Sequence, residues 1–295
     1  TPMIGKEVFD FVEKHHLLTA LEAILRVYNR LGRRDNKYKA RIKILVKEMG
    51  IDAFKNLVMQ EWNQIKDGPL TLTENEITRC KNYFLEAKYE ELEDTPHILK
   101  SELNKNLLFN AWFEQNVSQH KKSGYSIVTI CFKQTGIAPG DITDAQLELV
   151  ADLADKYSFG EIRITHHQNI VLADVKQSDL PSLWQKLNNK LLSVANLGLL
   201  SDVICCPGGD FCALANAKSL PIAESIQRKF SDEGFLREVG ELRVNISGCM
   251  NACGHHHVGN IGILGVDKKG EEFYQISLGG SSKNKASIGK IIGPA

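Results

Sequence analysis

The sequence predicts an α+β protein, and three observations support this prediction. Apolar residues recur at helical spacing through much of residues 17–66. From residue 124 onward, stretches with strand-like alternation exchange with amphipathic helical stretches. After residue 198, two cysteine-bearing loops stand among short, apolar, strand-like runs. The 295 residues are enough for two or three modules, each with its own core.

The first 66 residues predict a helical segment. The spacing of apolar residues predicts one helix over 17–31 and a second over 36–49, each followed by a glycine that can end it. A third helix is predicted over 52–66, with Asp52 as its N-cap. We therefore expect residues 1–66 to form a domain, or part of one, that is built from helices.

The rest of the chain predicts a linker and two modules. Residues 67–122 are turn-rich and then acidic, which is typical of a linker that lies on the surface. Residues 123–197 predict a β-α-β-β-α order, half of a ferredoxin-like arrangement. Its elements are expected at 125–133, 143–157, 161–165, 169–175 and 178–194, with Thr143 as the N-cap of the first helix. Residues 198–295 predict a mixed α/β module. Its elements are expected at 213–230 (helix) and at 242–247, 260–266 and 272–278 (strands).

Charge and composition argue against nucleic acid and membranes as partners. The 36 lysines and arginines balance the 36 aspartates and glutamates. No apolar run approaches the roughly 20 residues that span a bilayer, and no signal-peptide pattern opens the chain. We therefore expect a cytoplasmic protein. The chain begins without Met and ends just after an apolar run, and we expect both ends to be cuts within a longer protein.

Five of the seven cysteines fall within residues 205–253. Five residues separate Cys206 from Cys212, three separate Cys249 from Cys253, and 36 residues lie between the pairs. Four thiolates from two loops are a ligand set for a [4Fe–4S] cluster. Each pair also precedes or begins a predicted helix, where free N–H groups and the helix dipole would stabilise thiolate charge.

Zinc is the main alternative at these cysteines. Structural zinc sites commonly separate paired cysteines by two residues, and neither pair here has that spacing. The histidines at 255–257 add imidazole donors, but neighbouring side chains of an extended segment point to opposite faces. The spacing favours iron–sulfur and leaves zinc open, whereas seven cysteines without a secretion signal disfavour a disulfide framework. Cys205 is expected to be a buried small hydrophobe.

The stretches CPGGDFCALANAKS (206–219) and ISGCMNACGHHHVGNIGILGV (246–266) resemble the cluster-binding segments of the sulfite and nitrite reductase hemoproteins. RVYNRLGRRDNKYKARIKILVKEMG (26–50) and EIRITHHQNIVLADV (161–175) also resemble segments of that family, so the resemblance covers nearly the whole chain. It is strongest to the bacterial assimilatory sulfite reductase hemoprotein subunits. The resemblance implies a pseudo-symmetric siroheme-enzyme fold, with 1–66 and 198–295 in its two siroheme-binding domains.

The resemblance also implies a role for each cysteine of the two pairs. Cys206, Cys212, Cys249 and Cys253 would hold the [4Fe–4S] cluster, and Cys253 would share its thiolate with the siroheme iron. Asn251 would form a hydrogen bond near the macrocycle. The three consecutive histidines would then be packing neighbours of the cofactors rather than iron ligands.

Basic and polar residues elsewhere receive roles from the same resemblance. The stretch KARIK implies Arg41 and Lys43 as the basic pair at the substrate, with Lys39 as a further candidate. Arg41 stands where some members carry lysine, which keeps the charge but presents a planar fork. Residues two apart do not share a helix face, so a strand or irregular turn from about residue 40 would suit the pair better. Arg163 and Gln168 are assigned to cofactor binding.

The function implied is the six-electron reduction of sulfite to sulfide at a siroheme coupled to the cluster through a shared thiolate. The electron donor would be ferredoxin or a flavoprotein. Nitrite reduction to ammonia on the same scaffold is the nearest alternative. A zinc- or nucleic-acid-binding module and a cluster-only electron-transfer protein are remoter ones. The family also uses two arginines from a part that this chain lacks, so residues 1–295 alone are expected to be inactive.

Overall fold

The computed structural model describes residues 2–84 and 87–293, which form two compact units. The first unit extends to Ala87 and is helical, and the second begins at Lys88 and contains two β-sheets. The predicted α+β class is confirmed. Within the described residues, every helix is too short or too polar to cross a membrane.

The helices of the first unit pack around a small apolar core. They are α1 (Leu17–Leu31), α2 (Ile42–Met49), α3 (Ile51–Ile65) and α4 (Glu74–Lys81). The core side chains are Ala23, Val27, Leu45, Phe54 and Val58. Helix α1 has the predicted bounds, because its buried positions recur at helical spacing. Helix α3 begins one residue before Asp52, so this residue lies in the first turn and the prediction of an Asp52 N-cap is wrong.

The helix predicted over 36–49 is wrong in its first six residues. Asn36 starts a turn in which its Oδ1 accepts the N–H of Tyr38 and its carbonyl oxygen accepts the N–H of Lys39, both at 2.9 Å. Such local bonds compete with helix formation. Arg41 then has extended backbone at the N-cap of α2. A strand or irregular turn after this residue is also wrong, because α2 follows it directly.

The segment 67–122, predicted as a surface linker, is part of the packed structure from Leu99 onward, whereas its described residues before that position are exposed or half-buried. Besides α4, it contains α5 (His97–Lys105), α6 (Leu107–Asn116) and strand β1 (Val117–Gln119). Phe109 and Trp112 of α6 are fully buried, and the Phe109 ring centroid lies 5.7 Å from that of Trp184. The acidic run that suggested a linker, residues 90–94, is mostly exposed, irregular chain that ends before α5 begins.

Replacing Phe109 with alanine is expected to lower the free energy of unfolding by about 3–5 kcal/mol, because a fully buried aromatic side chain leaves a cavity. Leu107→Ala on the same helix is the matched control, since Leu107 is 83% exposed. We expect the control to change stability by less than about 0.5 kcal/mol. Urea unfolding followed by circular dichroism measures both, and equal effects would mean that α6 is not part of the core.

The second unit contains the predicted ferredoxin-like half-module. Its elements after β1 are β2 (Tyr125–Cys131), α7 (Asp144–Tyr157), β3 (Arg163–Ile164), β4 (Asn169–Lys176) and α8 (Leu180–Asn188). The strands are antiparallel in the order β1-β2-β4-β3. Thr143 caps α7 as predicted: its hydroxyl oxygen accepts the N–H of Gln146 at 3.2 Å, and Gln146 Oε1 accepts the N–H of Thr143 at 3.1 Å.

A second sheet positions the cysteines. Its strands and the helices between them are β5 (Ile204–Cys205), α9 (Leu220–Lys229), α10 (Glu233–Val239), β6 (Val244–Ser247), β7 (Ile261–Lys268), β8 (Glu271–Leu278) and β9 (Lys290–Ile292). The spatial order is β5 to β9, with β5, β6 and β7 parallel and the others antiparallel. The helix predicted over 213–230 is wrong before Leu220, because the N–H groups of Asn216 and Ala217 donate to the carbonyl oxygen of Gly248 instead.

Candidate cofactor-binding site

Both cysteine pairs lie at the carboxyl ends of neighbouring parallel strands. Cys206 follows β5 directly, and Cys249 lies two residues after β6. The two strands place Cys205 opposite Ile246, and the N–H of Cys206 donates to the carbonyl oxygen of Ile246 at 3.1 Å. This pairing brings the beginnings of both cysteine-bearing loops to the same edge of the sheet.

The first cysteine loop, residues 206–219, folds against the second cysteine loop, residues 248–255. The N–H of Ala217 donates to the carbonyl oxygen of Gly248 at 3.1 Å. The N–H of Gly248 in turn donates to the Sγ of Cys206 at 3.1 Å. Hydrogen bonds to a cysteine sulfur orient it and tune the potential of an iron–sulfur centre. The two loops therefore already present one sulfur with such a bond.

Glycines allow this close contact between the loops. A Cβ on Gly248 would lie 2.7 Å from the carbonyl oxygen of Ala217 and 2.9 Å from the Cα of Gly208. A Cβ on Gly254 would lie 1.9 Å from the carbonyl oxygen of Ile246. Because the atoms met are backbone atoms, they cannot move aside without displacing a strand or a loop. Only glycine fits at these two positions.

All seven cysteines lie in the described part of the chain, and all seven are free thiols. Cys249 is buried, Cys206 and Cys212 are half-buried, and Cys253 is exposed. Cys205 is buried in the core beside the second sheet, and burial raises the pKa of its thiol well above the usual range. The exposed thiol of Cys253 is therefore the one of the four most open to a further group.

The candidate donor set is the four cysteines of the two loops. Within residues 2–84 and 87–293, no group of three or more histidine, cysteine or acidic side chains is placed to hold one metal ion. A cubane cluster carries iron at four corners, so its thiolates stand further apart than the ligands of one ion. Four free cysteines on two adjoining loops match in number and type the thiolate ligands of such a cluster.

The predicted helix dipoles do not act on the cysteines. Helix α9 begins eight residues after Cys212, and only a short 3-10 helix, His256–Val258, follows Cys253. The expectation that helix N-termini stabilise the thiolates is therefore wrong. The backbone N–H of Gly248 supplies the one hydrogen bond to sulfur that the described cysteine loops show from a main-chain donor.

The three consecutive histidines have different environments. His255 is exposed and has left-handed backbone, with φ of 53°. His256 is buried, burial lowers its pKa to about 4, and its Nδ1 lacks a hydrogen-bond partner in the described structure. Its ring lies 3.9 Å from that of His257. A neutral, buried imidazole is consistent with the packing role implied by the sequence resemblance.

Gln168 and Arg163, both predicted to bind a cofactor, lie in different settings. Gln168 Nε2 donates to the carbonyl oxygen of Cys205 at 2.8 Å, and its Oε1 accepts the N–H of Cys205 at 2.9 Å. Its amide is thus engaged with the strand that enters the first cysteine loop. Arg163 lies on the edge strand β3, where its exposed guanidinium pairs with Glu161.

Sequence reasoning missed a buried ion pair behind Gln168. Lys133 and Asp202 are both buried, and Lys133 Nζ lies 3.2 Å from Asp202 Oδ1. Asp202 Oδ2 accepts the N–H of Gly198 at 2.9 Å. The only sequence signal is the position of Lys133 at the end of the apolar run YSIVTICFK, since a lysine there normally faces water.

A pocket of about 240 Å³ lies beside the second cysteine loop and is lined in part by His166, His167, Arg243 and His255. Arg243 Nη1 lies 3.2 Å from His167 Nε2, so the neutral imidazole accepts this bond. Burial first, and then the neighbouring His166 and Arg243, lower the pKa of His167 to about 4. The pocket therefore presents one permanent cation and an uncharged His167 at neutral pH.

This low pKa predicts a loss of stability in weak acid. Between pH of about 6.5 and about 4 the unfolded chain binds a proton at His167 that the folded chain does not bind. The free energy of unfolding therefore decreases as the pH is lowered through this range. We expect His167→Asn to lose less stability than the parent between pH 7 and pH 5. His97→Asn, at an exposed histidine of α5, is the control. Urea midpoints at the two pH values test this, and parallel losses in parent and variant would contradict it.

The basic residues predicted for the substrate lie in the first unit. Arg41 is exposed at the N-cap of α2, and Lys39 is exposed in the turn before it. Lys43 is half-buried in the first turn of α2. Arg41 therefore lies in extended chain before the helix and Lys43 lies within the helix, although they are only two residues apart.

Comparisons with known proteins agree with this fold. Residues 1–66 and 199–294 match the family described as the nitrite and sulphite reductase 4Fe-4S domain. Residues 118–190 match the nitrite/sulfite reductase ferredoxin-like half domain. These matches define an iron–sulfur oxidoreductase class. The chain belongs to the nitrite and sulfite reductase family, which uses siroheme and a [4Fe–4S] cluster, so both predicted cofactors are confirmed.

Several curated relatives are about equally similar. The chloroplastic ferredoxin–nitrite reductase of Betula pendula is 26% identical over 95% of this chain and 43% of its own length. Sulfite reductase [ferredoxin] 2 of Mycolicibacterium paratuberculosis is 26% identical over 98% of this chain and 47% of its own length. The chain thus spans less than half the length of these relatives. The NirA structure from Mycobacterium tuberculosis covers all of this chain with 48% of its own, at TM-score 0.68 and 22% identity, and shows the same fold.

Proposed function

We propose that this chain provides the cluster-binding part of a reductase that converts sulfite to sulfide with six electrons. The observation that carries the proposal is the pair of adjoining cysteine loops. Four free cysteines lie on these loops, which follow neighbouring parallel strands, and Gly248 N–H donates to one of their sulfurs. Ligands commonly bind outside the carboxyl ends of such strands.

The proposed cofactor residues are those of the two loops. Cys206, Cys212, Cys249 and Cys253 hold the [4Fe–4S] cluster, with Cys253 as the thiolate shared with siroheme iron. Its exposure supports this sharing, because a thiol inside the core could not reach a second group. Asn251, also exposed, forms a hydrogen bond near the macrocycle. When bound, the coupled centres supply the iron that takes the substrate and the electrons that reduce it.

The substrate is proposed to be held by cations of the first unit. Sulfite is an oxyanion, and basic groups neutralise its oxygens and supply the protons that loss of each oxygen requires. Arg41 and Lys43 are the proposed pair, with Lys39 as a further candidate. The exposed, extended position of Arg41 leaves its guanidinium free of a described acidic partner, which supports this role.

Nitrite is the second candidate substrate, because nitrite reductases are as similar to this chain as sulfite reductases are. The deciding experiment is turnover by the whole protein with each anion, driven by reduced ferredoxin or by a reduced flavoprotein. We expect a higher kcat/KM for sulfite. A higher kcat/KM for nitrite would assign the second function, and a colourless protein that contains zinc and no iron would overturn both.

The remaining sequence predictions stay proposals. The chain is proposed to comprise the C-terminal part of a first siroheme-binding domain (1–66), a half-module that includes α5, α6 and β1 as well as 123–197, and a second cofactor domain (198–295). A cytoplasmic location and inactivity of these residues alone are proposed with it. Assay of the isolated chain, reconstituted with iron, sulfide and siroheme, tests the last point.

A further inference from the structure

The peptide group between Cys205 and Cys206 is held from both sides. Its carbonyl oxygen accepts a hydrogen bond from Gln168 Nε2 at 2.8 Å. Its N–H donates to the carbonyl oxygen of Ile246 at 3.1 Å. The bond from Cys205 N–H to Gln168 Oε1, at 2.9 Å, adds a third restraint. The backbone that carries the first cysteine of the site is therefore fixed in position and in orientation.

Gln168 is itself fixed by its turn. Its backbone has a left-handed φ of 60°, and its N–H donates to the carbonyl oxygen of Thr165 at 3.1 Å. Lys133 Nζ donates to the carbonyl oxygen of His167 at 2.7 Å and to that of Gln168 at 3.4 Å. These two bonds from Lys133 stabilise the turn that carries Gln168. A turn held in this way presents the Gln168 amide to β5 in one orientation.

Lys133 is in turn held by groups that are buried with it. Its ammonium bonds to Asp202 Oδ1 at 3.2 Å and to Asn169 Oδ1 at 3.1 Å. Asp202 lies two residues before β5, so the carboxylate belongs to the segment that leads into the first cysteine loop. Burying a charge pair is costly and adds little net stability, although it can fix one arrangement of the chain. Lys133 follows β2 of the half-module and Asp202 precedes β5, so the ion pair joins the half-module to the segment that leads into β5.

We propose that Gln168 is a positioning residue for Cys206, and that the buried Lys133–Asp202 pair holds it in place. The half-module thereby docks the first cysteine loop and sets the hydrogen bond from Gly248 N–H to the Cys206 sulfur. Retention of the cluster and its reduction potential then depend on a residue that touches neither iron nor substrate. This inference rests on the proposed function, since it needs a cluster at Cys206.

Three variants of the whole protein test the proposal. Gln168→Ala removes both bonds to Cys205. Gln168→Asn is too short to make them both, but asparagine tolerates a positive φ, so it separates loss of the amide from backbone strain. Gln185→Ala is the control, because Gln185 is an exposed glutamine of α8. The measurements are iron per chain, the rate of iron release to a chelator, the reduction potential of the cluster and the thermal midpoint.

We expect iron release about tenfold faster than in the parent for Gln168→Ala, which loses both hydrogen bonds, and faster than in the parent for Gln168→Asn, which loses at least one. We also expect a more negative reduction potential, because a misplaced sulfur loses the N–H bond that stabilises the reduced cluster. A purely structural role would lower the thermal midpoint and leave the potential unchanged. If both variants release iron at the parental rate and have the parental reduction potential, this inference is overturned and the proposed function is not affected. A parent protein that binds no cluster overturns the proposed function as well.

Discussion

Serine in place of Cys253 is expected to abolish the siroheme absorption bands of the whole protein together with its reductase activity. A hydroxyl is a far poorer ligand for iron than a thiolate, and Cys253 is the proposed link between both centres. Its exposure means that the substitution removes no core packing, so a loss of the cofactor would not follow from misfolding. The visible spectrum and iron content report the result directly.

Cys80→Ser is the matched control, because Cys80 is also an exposed free cysteine and lies on α4, outside both cysteine loops. We expect this control to keep the spectrum and the activity of the parent. If Cys253→Ser retains both centres with parental spectra, Cys253 does not bridge them. If the variant loses siroheme but keeps a four-iron cluster of altered spectrum, the shared thiolate is supported. Serine would then be a ligand of the cluster but not of the siroheme iron.

Gly254→Ala is the second change with a large expected effect. A Cβ at this position would lie 1.9 Å from the carbonyl oxygen of Ile246, on strand β6, which pairs with a neighbour on each side. The residue is also held by Ser247 Oγ, which accepts its N–H at 3.1 Å, and by Asn245 Nδ2, which donates to its carbonyl oxygen at 2.9 Å. The second cysteine loop can therefore accept the methyl group only by breaking these bonds.

We expect Gly254→Ala to lower the free energy of unfolding by about 3 kcal/mol, at the upper end for overpacking, and to leave little iron on the purified protein. Gly5→Ala is the control, because no atom lies within 4 Å of the Cβ position there. Urea unfolding and iron analysis of both variants give the answer. Parental stability and iron content in Gly254→Ala would show that the loop can shift without losing the site.

Local patterns predicted the parts of the fold that local interactions determine. Helix α1 was predicted with its bounds because one apolar face recurs at helical spacing, and Thr143 was predicted as a cap because its partner lies three residues away. The strand β5 was missed because it has two residues and exists through its pairing with β6. The start of α2 was misjudged because the turn at Asn36 depends on one side-chain hydrogen bond.

The candidate site, too, was predictable where it depends on local sequence and unpredictable where it depends on contacts between distant residues. Type and spacing of the cysteines indicated an iron–sulfur site, because thiolates are its ligands wherever the loops lie. The partner of Gln168 could not be predicted, since Cys205 lies 37 residues away along the chain. Lys133 was missed because lysine is rarely buried, and only the folded chain brings Asp202 to it.

The long sequence separations at Gln168 also bear on the order of folding. The lysine and aspartate of the buried pair are 69 residues apart, and the β5–β6 pairing joins residues about 41 apart over two positions. Contacts of this kind form late, because the intervening chain must close before they repay its entropy. The local helices, whose hydrogen bonds join residues four apart, can form earlier. The protein therefore completes its metal site near the end of folding, when the scaffold that must hold the iron is already in place.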